Sequence, residues 1–373
     1  MFGKFCPGKN VQEVVTMKLF ERNRGIAVVG ILFAVGLILM GAAIIVGPAG
    51  FGSDFSFNFG SSNLGERFER EYSESLYQII EAIDIYTLNG AVEVIGWESD
   101  YAAIEVRQSV RVSSEELKDD YFERTKPEIT VSENTLKIVT PRLQLTAELK
   151  GYGTSIYLKV PTALIKETQV RTSNGNMRFS SLNAYINASG SNGGIDISTV
   201  NGKIVAKTSN GRIEAIDIFG SMEFESSNGS FAGKRLEGDL RISTSNASIN
   251  IDSSISTVVA NTSNGSINVT GSTLVGTKNS FRTSNGKIII DSILPESGEL
   301  EIESSNGQIT LYLPDSINAH IDALTSNGKV DINGLPITIS SMTKTSVKGN
   351  LNGGSDIDIS VKTSNADINL RKK

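Results

Sequence analysis

The tetrapeptide Thr-Ser-Asn-Gly returns through this chain at a fixed pitch, and few folds accept a short motif repeated that way. Its asparagines are Asn174, Asn192, Asn210, Asn228, Asn246 and Asn264, 18 residues apart, then Asn285, Asn306 and Asn327 at 21, and finally Asn365. A period of about 20 residues marks a solenoid, in which each repeat is one coil stacked on its neighbour.

Aligning the repeats on that Asn exposes the strands. Three and five residues after it stand apolar columns such as Ile195 and Ile197, Ile249 and Ile251, Ile288 and Ile290. Between them the side chain is polar in Arg178, Asp196, Glu214, Asn250, Asn268 and Asp331. This is strand alternation with one face inward. Four residues before the Asn the column is again apolar (Val170, Ala188, Phe224, Ile242), and two before it is a small hydroxyl, with Gly190 the exception. The two registers disagree by one residue at Asn-Gly, so the chain turns a corner there, and the glycine is expected to supply a positive φ. A half-period at Asn183-Ala184, Asn201-Gly202, Phe219-Gly220 and Glu237-Gly238 marks a second corner. The expected fold is all-β: a parallel β-helix or β-solenoid of 18–21 residues per coil, about ten or eleven coils at ~4.8 Å each.

Stacked identical side chains hydrogen-bond along the axis, amide to amide. A buried amide is costly unless paired. The asparagines at 174, 192, 210, 228, 246, 264, 285, 306, 327 and 365 therefore read as a structural ladder, interior in mid-stack and open on one side at Asn365.

Ahead of the repeats, residues 26–46 form 21 positions without a charge. At 1.5 Å per residue they span roughly 30 Å, the thickness of a bilayer's hydrocarbon core. Lys18, Arg22 and Arg24 precede the segment, and the first basic residue after it is Arg67. By the positive-inside rule the N-terminus is cytoplasmic and the solenoid outside. A cleavage among the small residues Gly47-Pro48-Ala49-Gly50 is the alternative to a retained anchor. The expected division is a cytoplasmic segment 1–24, a transmembrane helix 25–47, a juxtamembrane linker 48–75, an N-terminal β part or cap 76–165, and the repeat solenoid 166–373. Within the cap, Asn89-Gly90 looks like an early, irregular corner, and the charged stretch 113–127 reads as a solvated loop or short helix.

The opening Asn89-Gly-Ala-Val-Glu-Val-Ile-Gly-Trp97, the serial Thr-Ser-Asn-Gly coils and the closing stretch from Leu351 to Leu370 together resemble an adhesin-type family, a domain of unknown function in bacterial and archaeal envelope proteins. The resemblance covers roughly residues 75–370. It implies a β-solenoid and an envelope role, and it assigns no functional residues.

What chemistry the residues themselves carry is limited. The net charge of −6 includes +3 within residues 1–24 (five basic against two acidic), which leaves −9 for the rest. An acidic bulk without a basic stripe disfavours nucleic acid. One cysteine, Cys6, and one histidine, His320, make neither a disulfide framework nor a zinc site. No cofactor or metal site is expected. Asp196 and Glu214, vertical neighbours on the outward face, are the nearest approach to the acid pair of a polysaccharide-cleaving solenoid. Calcium-binding β-rolls need a regular Gly-rich, Asp-bearing nonapeptide, and only Gly193-Gly-Ile-Asp196 approaches it. Asp356 and Asp358 are a lone pair, and exposed aromatics in the coils are few (Tyr185, Tyr312). The expected function is a membrane-anchored, non-enzymatic, adhesin-like interaction module facing cell-surface glycans or envelope proteins. A structural or regulatory envelope protein, such as a stress-response accessory, is the alternative; an envelope polysaccharide-active enzyme is disfavoured. A monomeric ectodomain is expected, with Arg371–Lys373 guarding the last strand edge.

Overall fold

The computed structural model describes residues 65–354 and 356–373. The apolar run 26–46, and with it the expected transmembrane helix 25–47 and the N-terminal segment 1–24, lies outside the described residues. Among the described residues no helix is long and apolar enough to cross a membrane.

Twenty-eight strands join into one hydrogen-bonded sheet wound as a solenoid. Each coil has two strands. The one before the Asn corner pairs in parallel with its equivalents, as Ile186↔Ile204↔Met222. The one after it does likewise, as Ile195↔Ile213↔Phe231. The apolar columns point between the two faces, and most of their members are buried, Phe179, Phe224 and Phe281 completely. Where the columns break, volume is conserved. A Cβ on Gly190 would press on the Met177 methyl, and one on Gly233 would strike Phe231 and Leu236. The glycines make room for large neighbours, as close packing requires.

The Thr-Ser-Asn-Gly corner is explained atom by atom. The Thr208 hydroxyl accepts the Gly211 N–H (3.2 Å) and donates to the Gly193 carbonyl of the coil beneath (3.1 Å). The same pair of bonds recurs at Ser226, Thr262, Thr283, Ser304 and Thr325. The glycine is there for a different reason from the one expected. Apart from Gly90 (φ 152°), these corner glycines have no positive φ. A Cβ on Gly211 would instead be driven into the Gly193 carbonyl oxygen, so glycine lets one corner sit on the next. Positive φ belongs to the second corner, at Gly202 (151°), Gly220 (139°) and Gly238 (127°).

A bulge precedes that second corner in every 18-residue coil. Ser181, Thr199, Asp217, Arg235 and Ser253 form a column of left-handed residues with φ between 51° and 58°. The ladder skips them: Ser180↔Ser198↔Ile216 is followed by Leu182↔Val200↔Ile218. The extra residue restores an apolar side chain to the inside before the chain turns.

At both ends the order in space departs from the order in sequence. The coil built from Ala82–Thr87 and Val92–Trp97 lies between the strands of 135–161 and those of 167–182. At the other end Ile357–Thr363 inserts between Gly298–Ser304 and Ala319–Thr325, and Ile368–Lys372 between Ile309–Leu313 and Val330–Asn333. The last coil in sequence is therefore not the last in the stack.

Antiparallel strands then cover each end. Ala102–Val112 pairs with Leu149–Pro161 and Glu66–Leu76 with Ala102–Val112, so the expected linker 48–75 gives way to a strand from Glu66. Glu128–Ser132 covers Thr135–Val139. At the C-terminal end Ser346–Leu351 covers Ala319–Thr325, and Ile337–Met342 lies outermost. The charged stretch 113–127 holds a single 3-10 turn, Glu115–Leu117, and a short helix, Lys118–Arg124. Its Tyr121 and Phe122 pack on Val110, Val112 and Leu149. Arg70 lies over the Phe122 ring at 4.5 Å and bonds Asp119 and Glu123.

Candidate functional site

The asparagine amides form a continuous chain of hydrogen bonds. Each Nδ2 donates to the Oδ1 of the asparagine one rung nearer the N-terminal end, in the order Asn89, 174, 192, 210, 228, 246, 264, 285, 306, 365, 327, at 2.5–2.8 Å. Asn89 in turn reaches the Tyr152 carbonyl (3.4 Å). Two features differ from the sequence-based expectation. All the repeat asparagines are exposed, so the ladder runs along the outside of the corner and stands in water. Asn365 is an interior rung between Asn306 and Asn327, and Asn327 is the open end.

Beside the ladder runs a column of exposed serines, one residue before each Asn from Ser191 onward. Together they make a polar ridge. Toward the C-terminal end the ridge borders an open groove of about 460 Å³, with Ser284, Ser305, Ser364 and Ser326 on one side and Arg282, Glu303, Lys362 and Leu324 on the other. These are outward positions of successive rungs, Arg282↔Glu303↔Lys362↔Leu324. The groove thus follows the stack, offering hydroxyls, both signs of charge and one half-exposed leucine. Arg282 holds Glu301 (2.6 Å) and Glu303 (3.4 Å).

The other charged columns are occupied by one another. Arg178 contacts both Glu93 (3.6 Å) and Asp196 (3.8 Å), and Arg212 pairs with Glu214. Asp196 and Glu214 are register partners, and each faces its own arginine. Asp217 receives two bonds from Arg235 (2.5 and 2.8 Å), which hold its carboxyl below the usual carboxylate range. His320 Nδ1 meets Asn350 Oδ1 at 2.8 Å, and Asp356 accepts from Asn318 at 2.6 Å. Among the described residues no three His, Cys, Asp or Glu side chains gather as metal ligands would. Arg371, Lys372 and Lys373, expected to guard the end, pair with Asp331, Asp315 and Asp291 on adjoining coils. An interior strand cannot guard an edge, so that expectation is corrected.

One grouping escapes the repeat pattern. Tyr77, Trp97 and Tyr101 form a half-open aromatic cluster near the N-terminal end. The four-residue spacing of Trp97 and Tyr101 across a turn is visible in the sequence; Tyr77 reaches them only because 66–76 folds back as a strand.

Two solved structures are similar to the chain. One, described as a candidate cell adhesion protein from Clostridium sporogenes ATCC 15579, is 15% identical over 82% of this chain and 100% of that one, with a TM-score of 0.23. The other, a candidate adhesin from Bacteroides fragilis NCTC 9343, is 11% identical over 83% of this chain and 100% of its own, at 0.26. At these scores neither likeness says more about this chain. No curated protein matches it. The family model described as Toastrack DUF4097 matches residues 80–371, which are the coils and their corners. The chain belongs to the Toastrack DUF4097 family.

Proposed function

We propose that the chain is a membrane-anchored interaction module of the cell envelope, adhesin-like and non-enzymatic, with its solenoid outside and monomeric. The observation that carries this reading is the groove along the Ser-Asn ridge. It is open and polar, and it crosses successive rungs, which suits an extended polar chain such as a glycan or an envelope protein segment rather than a small molecule. The uncharged run 26–46 and its basic N-terminal flank support the anchor and the topology. A non-enzymatic role is supported by Asp196 and Glu214, whose carboxylates are each held by an arginine. The monomer is supported by the antiparallel strands over both ends, by the charged edge strand Glu66–Leu76, and by the irregularity between Ile339 and Ser341 in the opposite edge strand.

A second reading, a structural or regulatory envelope protein, is favoured by one observation: many outward side chains are spent on each other, amide to amide and cation to carboxylate. The two readings part in a glycan and cell-surface binding screen with the full chain displayed on cells. Binding that falls at least tenfold in Arg282→Glu with Lys362→Glu supports the groove. Binding to nothing leaves the structural reading. In the same cells, added protease should remove everything beyond about residue 50 and spare the N-terminus; a fully protected solenoid would overturn the topology.

A further inference from the structure

The aromatic cluster near the N-terminal end has no part in the repeat. Tyr77 follows the edge strand Glu66–Leu76, Trp97 closes Val92–Trp97, and Tyr101 precedes Ala102–Val112. The register Leu76↔Ala102 brings the two tyrosines together, ring centroids 5.3 Å apart and planes 31° from parallel. Trp97 stands edge-on to Tyr101 at 4.8 Å and 74°. Its indole Nε1 donates to the Tyr101 carbonyl (2.9 Å), which fixes the ring. Lys159 Nζ lies 5.8 Å from the Trp97 centroid.

These rings are not core. Tyr77 is 77% exposed and Ile79, two residues on, 60%. Apolar rings held rigid in water gain little for the fold, since the free energy of hiding them is not collected. Their hydrogen-bonded, ring-to-ring arrangement has the preorganisation that a ligand surface needs. The turn between Trp97 and Tyr101 places two exposed carboxylates, Glu98 and Asp100, at its rim.

We infer that Tyr77, Trp97 and Tyr101 form a carbohydrate subsite for β-linked pyranoses of the glucose or N-acetylglucosamine type. Such a sugar has equatorial substituents, so one face presents only C–H groups and the rim only polar ones. The C–H face stacks on an aromatic quadrupole, and the hydroxyls donate to carboxylates at the edge. Glu98 and Asp100 also disfavour the competing occupant, an anionic lipid surface. The inference rests on the interaction reading above and supplies it with a ligand class.

Trp97 is the chain's one tryptophan, so its emission reports on this cluster alone. The full chain, in a detergent without a sugar headgroup, is titrated with cello- and chito-oligosaccharides and separately with anionic phospholipid vesicles. A saturable blue shift with an oligosaccharide is expected. Tyr77→Phe should keep it, and Tyr77→Ala should raise its midpoint at least tenfold, while Lys362→Glu in the distant groove leaves it unchanged. An emission that no oligosaccharide moves would overturn the subsite, even if the cell-surface screen still shows binding; in that case the interaction reading survives alone. A response to vesicles but not to sugars would assign the cluster to a membrane surface. Equal midpoints in Tyr77→Ala and the unaltered chain would remove the rings from any role.

Discussion

The middle of the solenoid and its two ends are built from the same coil but stacked by different rules. From about residue 167 to 293 each coil lies on the one before it in sequence, 18 or 21 residues back. At the ends a later segment slides between earlier ones, and antiparallel strands close the sheet. The difference teaches what a repeat specifies. The motif fixes the inside of a coil and the way one corner seats on another, and those contacts are satisfied by any neighbour carrying the same motif. Which coil becomes the neighbour is decided by the connections. At the C-terminal end, the hairpin of Ile337–Met342 and Ser346–Leu351 occupies the outer edge, so the last coil can only enter from within.

Removing residues 355–373 should break this comparison most visibly. In the middle, losing a terminal coil frays one rung. Here it extracts a rung from inside, leaving Gly298–Leu313 and Ala319–Asn333 without partners on facing edges. Loss of hydrogen-exchange protection back to about residue 298 is expected, with destabilisation beyond ~5 kcal/mol. Protection unchanged before residue 355 would place the coil at the end. Deleting only Arg371–Lys373 removes part of one interior strand and its ion pairs. A loss of about 1–3 kcal/mol is expected, without added self-association by sedimentation; increased association at low salt would restore the tail as an edge guard.

Single rungs sharpen the comparison further. Asn246→Ala and Asn365→Ala each break two amide bonds, one in the middle and one near the end of the chain, and should cost the same, about 0.5–1.5 kcal/mol in urea unfolding. Asn327→Ala, at the open end of the ladder, breaks one and should cost less than either. An Asn365 effect as small as that of Asn327 would speak against intercalation.

The smallest effect concerns charge on the surface. Arg235 keeps the Asp217 carboxyl below its ordinary value, so the pair contributes fully above the unfolded aspartate pKa near ~3.9 and is lost as pH falls through the depressed folded value. Carboxyl NMR of Arg235→Ala should show the Asp217 midpoint rising toward that ordinary value. Because both side chains are about half exposed, stability near neutral pH should barely change.

Much of this fold was legible. The columns at three and five residues after Asn named the buried face, and the hydroxyl two residues before it marked a conserved place in the corner's construction. Even the bulge left a trace, because Ile197 and Val200, or Ala215 and Ile218, are apolar three residues apart where plain alternation demands an even number. What stayed hidden was long-range. No spacing in the sequence says that Asn365 bonds Asn306, 59 residues away, or that Tyr77 meets Tyr101 across a folded-back strand. The glycines misled for a related reason: a residue chosen for close approach and one chosen for positive φ are the same letter.

Intercalation of the last coil is most directly tested by disulfide trapping in the full chain with Cys6→Ser. Register partners on adjacent parallel strands lie ~4.8 Å apart, within disulfide reach, whereas two rungs span about 10 Å and exceed it. Glu303 faces Lys362, which in turn faces Leu324. Glu303→Cys with Lys362→Cys should therefore bridge on mild oxidation, and Glu303→Cys with Leu324→Cys should not. Bridging of the second pair and not the first would mean that the coils stack in sequence order and would contradict the account.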